Sequence, residues 1–181
     1  MAVIGAGRVG RSFALACAAA GFDVVLEDVM PAKLRRAQEE YAELGAGAAG
    51  GAAAGAGRLR IALTVEDAVR AADVAVDFVP DELESKLEIF CMVDRMAPPK
   101  TVLLTPSDAL SITDLASCTY RGERCFAVRG GLAAGGAVRV MHPKGAAKEV
   151  LVGVREFLRG LGCAVQVEED RDAPMLVKNL G

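Results

Sequence analysis

The chain has 181 residues, 52% of them hydrophobic, which suffices for one well-packed domain and is too short for two of usual size. Aromatics make up only 4% and Trp is absent, so the core must be aliphatic, which suits helices packed on a parallel sheet. A net charge of −3, no Lys/Arg block and no apolar run of about 18 residues argue against a nucleic-acid partner and against a membrane-spanning helix.

The start of the chain is apolar, but it lacks a basic leader and is broken by glycines and arginines, so it does not read as a signal peptide. The five cysteines, Cys17, Cys91, Cys118, Cys125 and Cys163, are scattered without a C-x-x-C pair. They read as reduced thiols of a cytoplasmic protein. With His142 as the single histidine, a His/Cys metal site is not expected.

Apolar runs and helical patterns alternate along the chain. Ala2-Val3-Ile4 is the first expected strand, followed by a helix from Arg8 to Ala20. A second strand, Val24-Val25-Leu26, precedes a helix that starts at Pro31, where a missing N–H costs nothing, and runs to about Leu44. Residues 45–57 consist of Gly and Ala alone, and the glycines oppose helix, so a mobile connection inside the domain is expected there. Then come a strand at Arg60–Leu63, a short helix at Val65–Ala71 and a buried strand at Val74–Val79. A helix from Glu82 to Met96 stops before Pro98-Pro99. Thr101–Leu104 is a strand, and Ser111 caps a short helix through Ala116. Strands at Cys125–Val128 and Val138–Met141, a helix at Ala146–Leu161 and a strand at Ala164–Val167 complete the pattern, with Pro174 opening a last helix. Such alternation predicts an α/β fold: one doubly wound, mainly parallel sheet over residues 1–181, with the first strand placed centrally.

Gly5-Ala6-Gly7-Arg8-Val9-Gly10 matches G-x-G-x-x-G. The pattern alone is weak, but here it follows a strand and opens a helix, the context that gives it meaning. Gly5 permits a tight turn, Gly7 lets a pyrophosphate approach the backbone, and Gly10 lets helix and strand pack closely. Arg8 and Val9 complete the expected cofactor-binding set, since free N–H groups and the helix dipole there attract phosphate. The second strand runs into Glu27-Asp28, and Asp28 lies eighteen residues beyond Gly10. A carboxylate near that spacing accepts hydrogen bonds from the adenosine ribose and repels a 2′-phosphate, which favours NAD over NADP. Glu27 competes for the role. Glycine turns also close sheets that bind no nucleotide, and acids often end strands.

Several segments resemble the NAD-binding domain of the 3-hydroxyacyl-CoA dehydrogenase family. They are Val3–Gly7, Gly21–Val29, Val65–Ala68, Val79–Lys86 and Leu110–Ala116. The likeness covers nearly the whole chain in almost constant register. It implies NAD as cofactor, and it implies cofactor contacts by an acid and a lysine after the fourth strand, where Asp81 and Lys86 fall. Both could equally be residues of a solvated helix start. The family's Ser-Asn-Thr-Ser-Ser is replaced by Thr105-Pro106-Ser107-Asp108-Ala109, so the substrate-holding serine falls on Asp108. Its His-Phe-Phe-Asn-Pro is replaced by Arg129-Gly130-Gly131-Leu132-Ala133, so the catalytic histidine falls on Arg129. The glutamate that orients that histidine falls near Met141. Asn179 is offset by a residue or two from a late family asparagine.

A permanently protonated arginine is a poor substitute for a histidine that must take the alcohol proton. Arg129 reads either as a surface or salt-bridged side chain or as an anion ligand. His142 and Asp108 are weak substitute acid/bases, and His142 requires a thirteen-residue shift against the register. The family's helical hairpin after the second strand does not fit residues 45–57, and its all-α C-terminal domain is expected to be absent. Met175, Leu176 and Leu180 then leave room for a small self-association interface. The leading expectation is an NAD(H)-binding domain that is catalytically degenerate, with an acyl-CoA-like or other small ligand. Its rivals are an active dehydrogenase with a substituted acid/base and a structural subunit with a vestigial nucleotide site.

Overall fold

Eight strands build one sheet in the order β3-β2-β1-β4-β5-β6-β7-β8. In chain order they are β1 Ala2–Ile4, β2 Val24–Glu27, β3 Leu59–Ala62, β4 Val74–Asp77, β5 Val102–Pro106, β6 Cys125–Gly130, β7 Ala137–His142 and β8 Ala164–Glu169. Strands β1 to β6 run parallel, β7 is antiparallel to β6, and β8 is parallel to β7. The computed structural model describes residues 1–47, 57–132 and 136–171.

The helices are α1 Arg8–Ala19, α2 Pro31–Gly47, α3 Val65–Val69, α4 Leu83–Met96, α5 Ile112–Ser117 and α6 Lys148–Gly160, with a 3-10 turn at Gly122–Arg124. They cover both sheet faces, giving two apolar layers. One layer joins α3, α4 and α5 to the sheet through residues such as Val69, Phe90, Leu103 and Leu115. The other joins α1, α2 and α6 through Phe13, Cys17, Leu26, Leu34 and Leu158. All three residues of β1 are buried, because both faces of a central parallel strand are covered. Small residues let α1 lie close: Gly10, Ala14, Cys17 and Ala18 face the sheet beside Phe13. The doubly wound, mainly parallel sheet expected from the alternation is thus present, with β1 between β2 and β4.

Elements differ from expectation mainly at their ends. Helix α2 continues to Gly47, three residues past the expected Leu44, so the Gly/Ala stretch begins as helix. At its other end Gly57 is pinned: its N–H donates to Ala18 O (2.8 Å), and the Tyr41 hydroxyl donates to its carbonyl (2.7 Å). A Cβ at Gly57 would stand 2.0 Å from Phe22 O, so only glycine fits there. The remainder of that stretch, residues 48–56, lies outside the described residues, as do Ala133 and the final segment with Pro174, Met175, Leu176, Asn179 and Leu180. Strand β4 stops at Asp77, two residues short of the expected Val79, while β6, β7 and β8 each run longer. Arg11, buried in α1, bridges to Glu40 of α2 (2.8 Å) and to Ala6 O (3.3 Å), joining the first turn to the second helix.

Candidate functional site

The C-terminal ends of β1, β2 and β4 open onto a cleft of about 680 Å³. Gly5, Gly7, Asp28, Lys33 and Val79 line it. Ligands bind in this place in doubly wound sheets, outside the carboxyl ends of the strands.

Gly5 has φ +96°, turning the chain sharply between β1 and α1, and its N–H donates to Glu27 O (2.8 Å) at the end of the neighbouring β2. A Cβ on Gly10 would meet Gly5 O at 2.1 Å and Phe78 Cβ at 3.1 Å, so Gly10 is required for the close seating of α1. Gly7 differs: apart from itself and its chain neighbours, no heavy atom of the described residues lies within 4 Å of where its Cβ would be. Gly7 is also one of the residues that line the cleft. No side chain caps α1, and its first turn holds no acid. The first helical bond runs from Arg11 N to Gly7 O, so the amides of Arg8, Val9 and Gly10 precede it. An uncapped helix start beside a bare glycine fits a pyrophosphate, which would occupy the space a side chain at position 7 would take.

Asp28 follows β2 and is 6% exposed. Its carboxylate accepts from Ala6 N (2.8 Å), Met30 N (2.9 Å) and Lys33 Nζ (3.1 Å). Burial pushes its carboxyl up, but these three donors outweigh burial and hold it below the ordinary carboxylate value. Glu27, also buried, is pushed the other way by burial and by the Asp28 charge. Val29 beside them is 80% exposed, an apolar side chain left bare at the cleft wall. The charged form is therefore favoured at Asp28, while Glu27 supplies a main-chain acceptor to Gly5.

The structure divides the other expected residues. Lys86 does not line the cleft: 1% exposed, its ammonium sits 2.7 Å from Asp77 Oδ1 in a buried ion pair. Asp81 is exposed and accepts from Asp108 N (3.1 Å). Asp108 in turn accepts from Gly130 N (3.0 Å), so the β5 and β6 ends are laced together at the cofactor edge. Arg129 stands at that edge, and its Nε is buried without a hydrogen-bond partner among the described residues. His142 is not there. Antiparallel β7 pairs Val138 with Gly130 and Met141 with Ala127, which carries His142 to the opposite edge of the sheet. Its Nδ1 lies 3.1 Å from Pro143 O. This topology sets His142 apart from Asp108 and Arg129, the other two residues considered for an acid/base role. Met141, at the expected place of the orienting glutamate, is 3% exposed and packs in the apolar layer.

The sequence reading missed the Asp77–Lys86 pair, although an acid ending an apolar strand nine residues before a lysine was a usable signal. It also missed Lys33 as the partner of Asp28. Burial pushes the Cys17 and Cys125 thiols up to about 12, so neither is a nucleophile. Among the described residues no helix is long and apolar enough to cross a membrane.

Residues 1–129 match the family model described as 3-hydroxyacyl-CoA dehydrogenase, NAD binding domain. The chain is 30% identical over 186 residues to a probable 3-hydroxybutyryl-CoA dehydrogenase of Bacillus subtilis, covering 99% of this chain and 58% of that protein. It is 27% identical to the 5-formyl-3-hydroxy-2-methylpyridine 4-carboxylate 5-dehydrogenase of Mesorhizobium japonicum, covering 99% of this chain and 60% of that relative. The chain thus spans less than two thirds of the length of these curated relatives. Among solved structures, a 3-hydroxyacyl-CoA dehydrogenase of Archaeoglobus fulgidus superposes with a TM-score of 0.76 at 26% identity, over 99% of this chain and 58% of that one.

Proposed function

This chain belongs to the 3-hydroxyacyl-CoA dehydrogenase family through its NAD-binding domain, and from that premise we propose how its own residues hold the cofactor and how far they support the reaction. Gly5, Gly7 and Gly10 shape the turn, and the amides of Arg8 and Val9 face the pyrophosphate. Asp28 takes the adenosine ribose. Asp81 stands at the nicotinamide side of the cleft, and Lys86 serves that side indirectly, by fixing Asp77 at the end of β4. The observation that carries this reading is the bare face of Gly7 beside an uncapped helix start, with the Asp28 carboxylate on the same cleft.

When bound, NAD supplies hydride transfer to or from a carbon bearing oxygen. The chain must then hold or move the proton on that oxygen. Arg129 stands where the family has its histidine, and an arginine stays protonated throughout the working range. Losing a positioned acid/base costs about 10²–10⁴ in rate. We therefore propose that this chain binds NAD(H) and turns over a 3-hydroxyacyl-CoA weakly or not at all. One observation favours a second reading, that of an active enzyme: the Asp108 carboxylate lies at the cofactor edge beside Arg129, where an acid could act on substrate. Acetoacetyl-CoA with NADH separates the two. Weak or absent turnover supports the first reading, and robust turnover lost in Asp108→Asn supports the second. An acyl-CoA-like ligand and self-association belong to the same proposal. The five unpaired cysteines support a reducing, cytoplasmic setting.

A further inference from the structure

A second cleft, of about 440 Å³, lies at the same sheet edge, over the ends of β6, β7 and β8. Arg129 and Arg139 line it together with Asp108 and Gln166. The strand register explains why they meet. Arg129 pairs directly with Arg139 across β6 and β7, and Arg139 pairs with Gln166 across β7 and β8. Directly paired residues point to one face, with Cβ atoms about 4.5–5.5 Å apart, so the two guanidinium groups and the amide form one row.

Like charges in directly opposed positions repel, and nothing within the described residues fully relieves them. The Arg129 side chain makes no ion pair and no hydrogen bond among the described residues, and its buried Nε lacks an acceptor there. Arg139 has one carboxylate, Glu168, at 3.4 Å, and both side chains are half-exposed, so that contact is weak and exchangeable. Asp108 contributes a negative charge to the cleft, but one of its oxygens already accepts from Gly130 N (3.0 Å). Two forked donors on one wall with an amide beside them are a receptor for a planar or tetrahedral oxyanion.

We propose that Arg129 and Arg139 form an anion subsite that takes the carboxylate or phosphate group of a small ligand. Arg129 engages it with the donors it leaves unused, Arg139 turns from Glu168 toward it, and Gln166 adds an amide donor. Asp108, which also lines the cleft, disfavours a second negative charge placed deep in it. It leaves an acceptor for a hydroxyl on the ligand. The subsite does not depend on the nucleotide site: it is built from β6, β7 and β8, whereas the glycine turn joins β1 to α1.

Calorimetric titration of the full chain with malonate, and separately with inorganic phosphate, tests it. The expected result is millimolar or tighter binding of at least one anion. That binding weakens about tenfold or more in Arg129→Gln, is lost in the Arg129→Gln/Arg139→Gln double variant, and is unchanged in Arg155→Gln on α6. Malonate bound alone identifies a carboxylate source, and phosphate bound alone identifies a phosphate source. Arg129→Lys keeps the charge without the fork and should fall between. Absence of heat with both anions, or binding unchanged in Arg129→Gln, overturns the proposal. Should Arg129→Gln fail to fold, the exposed Arg139→Gln decides, and unchanged binding there is equally fatal.

Discussion

The main-chain N–H of Ala6 donates to the Asp28 carboxylate across 2.8 Å, joining the glycine turn to the end of β2. The acid proposed to take the ribose is thus also the acceptor that fixes the glycine turn. Lys33, 3.1 Å from the same carboxylate, partly neutralises it at the rim of the cleft. Lys33→Ala should therefore widen the preference for NADH over NADPH, because the bare carboxylate repels a 2′-phosphate more strongly. Asp28→Asn should narrow it. Paired dissociation constants for the two cofactors check both shifts, and a ratio that stays constant in Lys33→Ala would contradict the account.

Gly10 is a packing requirement. A Cβ there would collide with Gly5 O at 2.1 Å, and that oxygen is main chain and cannot step aside. Gly10→Ala should cost at least about 2 kcal/mol of stability, read from chemical denaturation.

The Asp77–Lys86 pair lies deep between β4 and α4, with both side chains nearly inaccessible. Removing one charge leaves the other buried and uncompensated. Lys86→Met alone should destabilise by about 3–5 kcal/mol, while Lys86→Met with Asp77→Leu should recover most of the loss. The double-mutant cycle measures this coupling. Additive single effects would show that the pair does not act as a unit.

Glu27 gives a pH dependence of defined sign. Burial and the Asp28 charge raise its folded-state value, so folding favours the protonated form. Its stabilising contribution is full below the unfolded value of about 4.3 and is lost as pH rises through the higher folded value. Glu27→Gln should be more stable than the parent near neutrality, and that advantage should vanish toward pH 4. Melting temperatures of both proteins across this range test it, and a constant difference would contradict the assignment.

Local chemistry made much of this legible in the sequence. Strand β1, the turn and α1 could be read because Gly5, Gly7 and Gly10 each answer a separate steric demand at fixed spacing. Ser111 could be read as a cap, and its hydroxyl does accept from Asp114 N (3.3 Å). What was not legible depends on register between distant strands. The Arg129–Arg139 row exists only because β7 runs antiparallel to β6, and the same reversal removes His142 from the cofactor edge. The destination of Lys86 depended on Asp77 being buried beside α4: the nine-residue spacing hints at the pair, but only the packing of α4 on β4 closes it. The end of α2 was misplaced because alanine favours helix while the glycines around it oppose it, and the balance in residues 45–47 is close.

Gly7 offers the most direct test of the central claim. Its φ of −60° suits alanine, and beyond its chain neighbours no heavy atom of the described residues lies within 4 Å of the Cβ it would gain, so Gly7→Ala should fold with at most a small loss at the helix cap. The new methyl would stand where the pyrophosphate must approach. Titration of NADH fluorescence against both proteins, undisturbed by tryptophan since the chain has none, should show binding to the parent and a loss of tenfold or more in the variant. Equal affinity in a well-folded Gly7→Ala protein would mean that the cofactor does not lie against this turn.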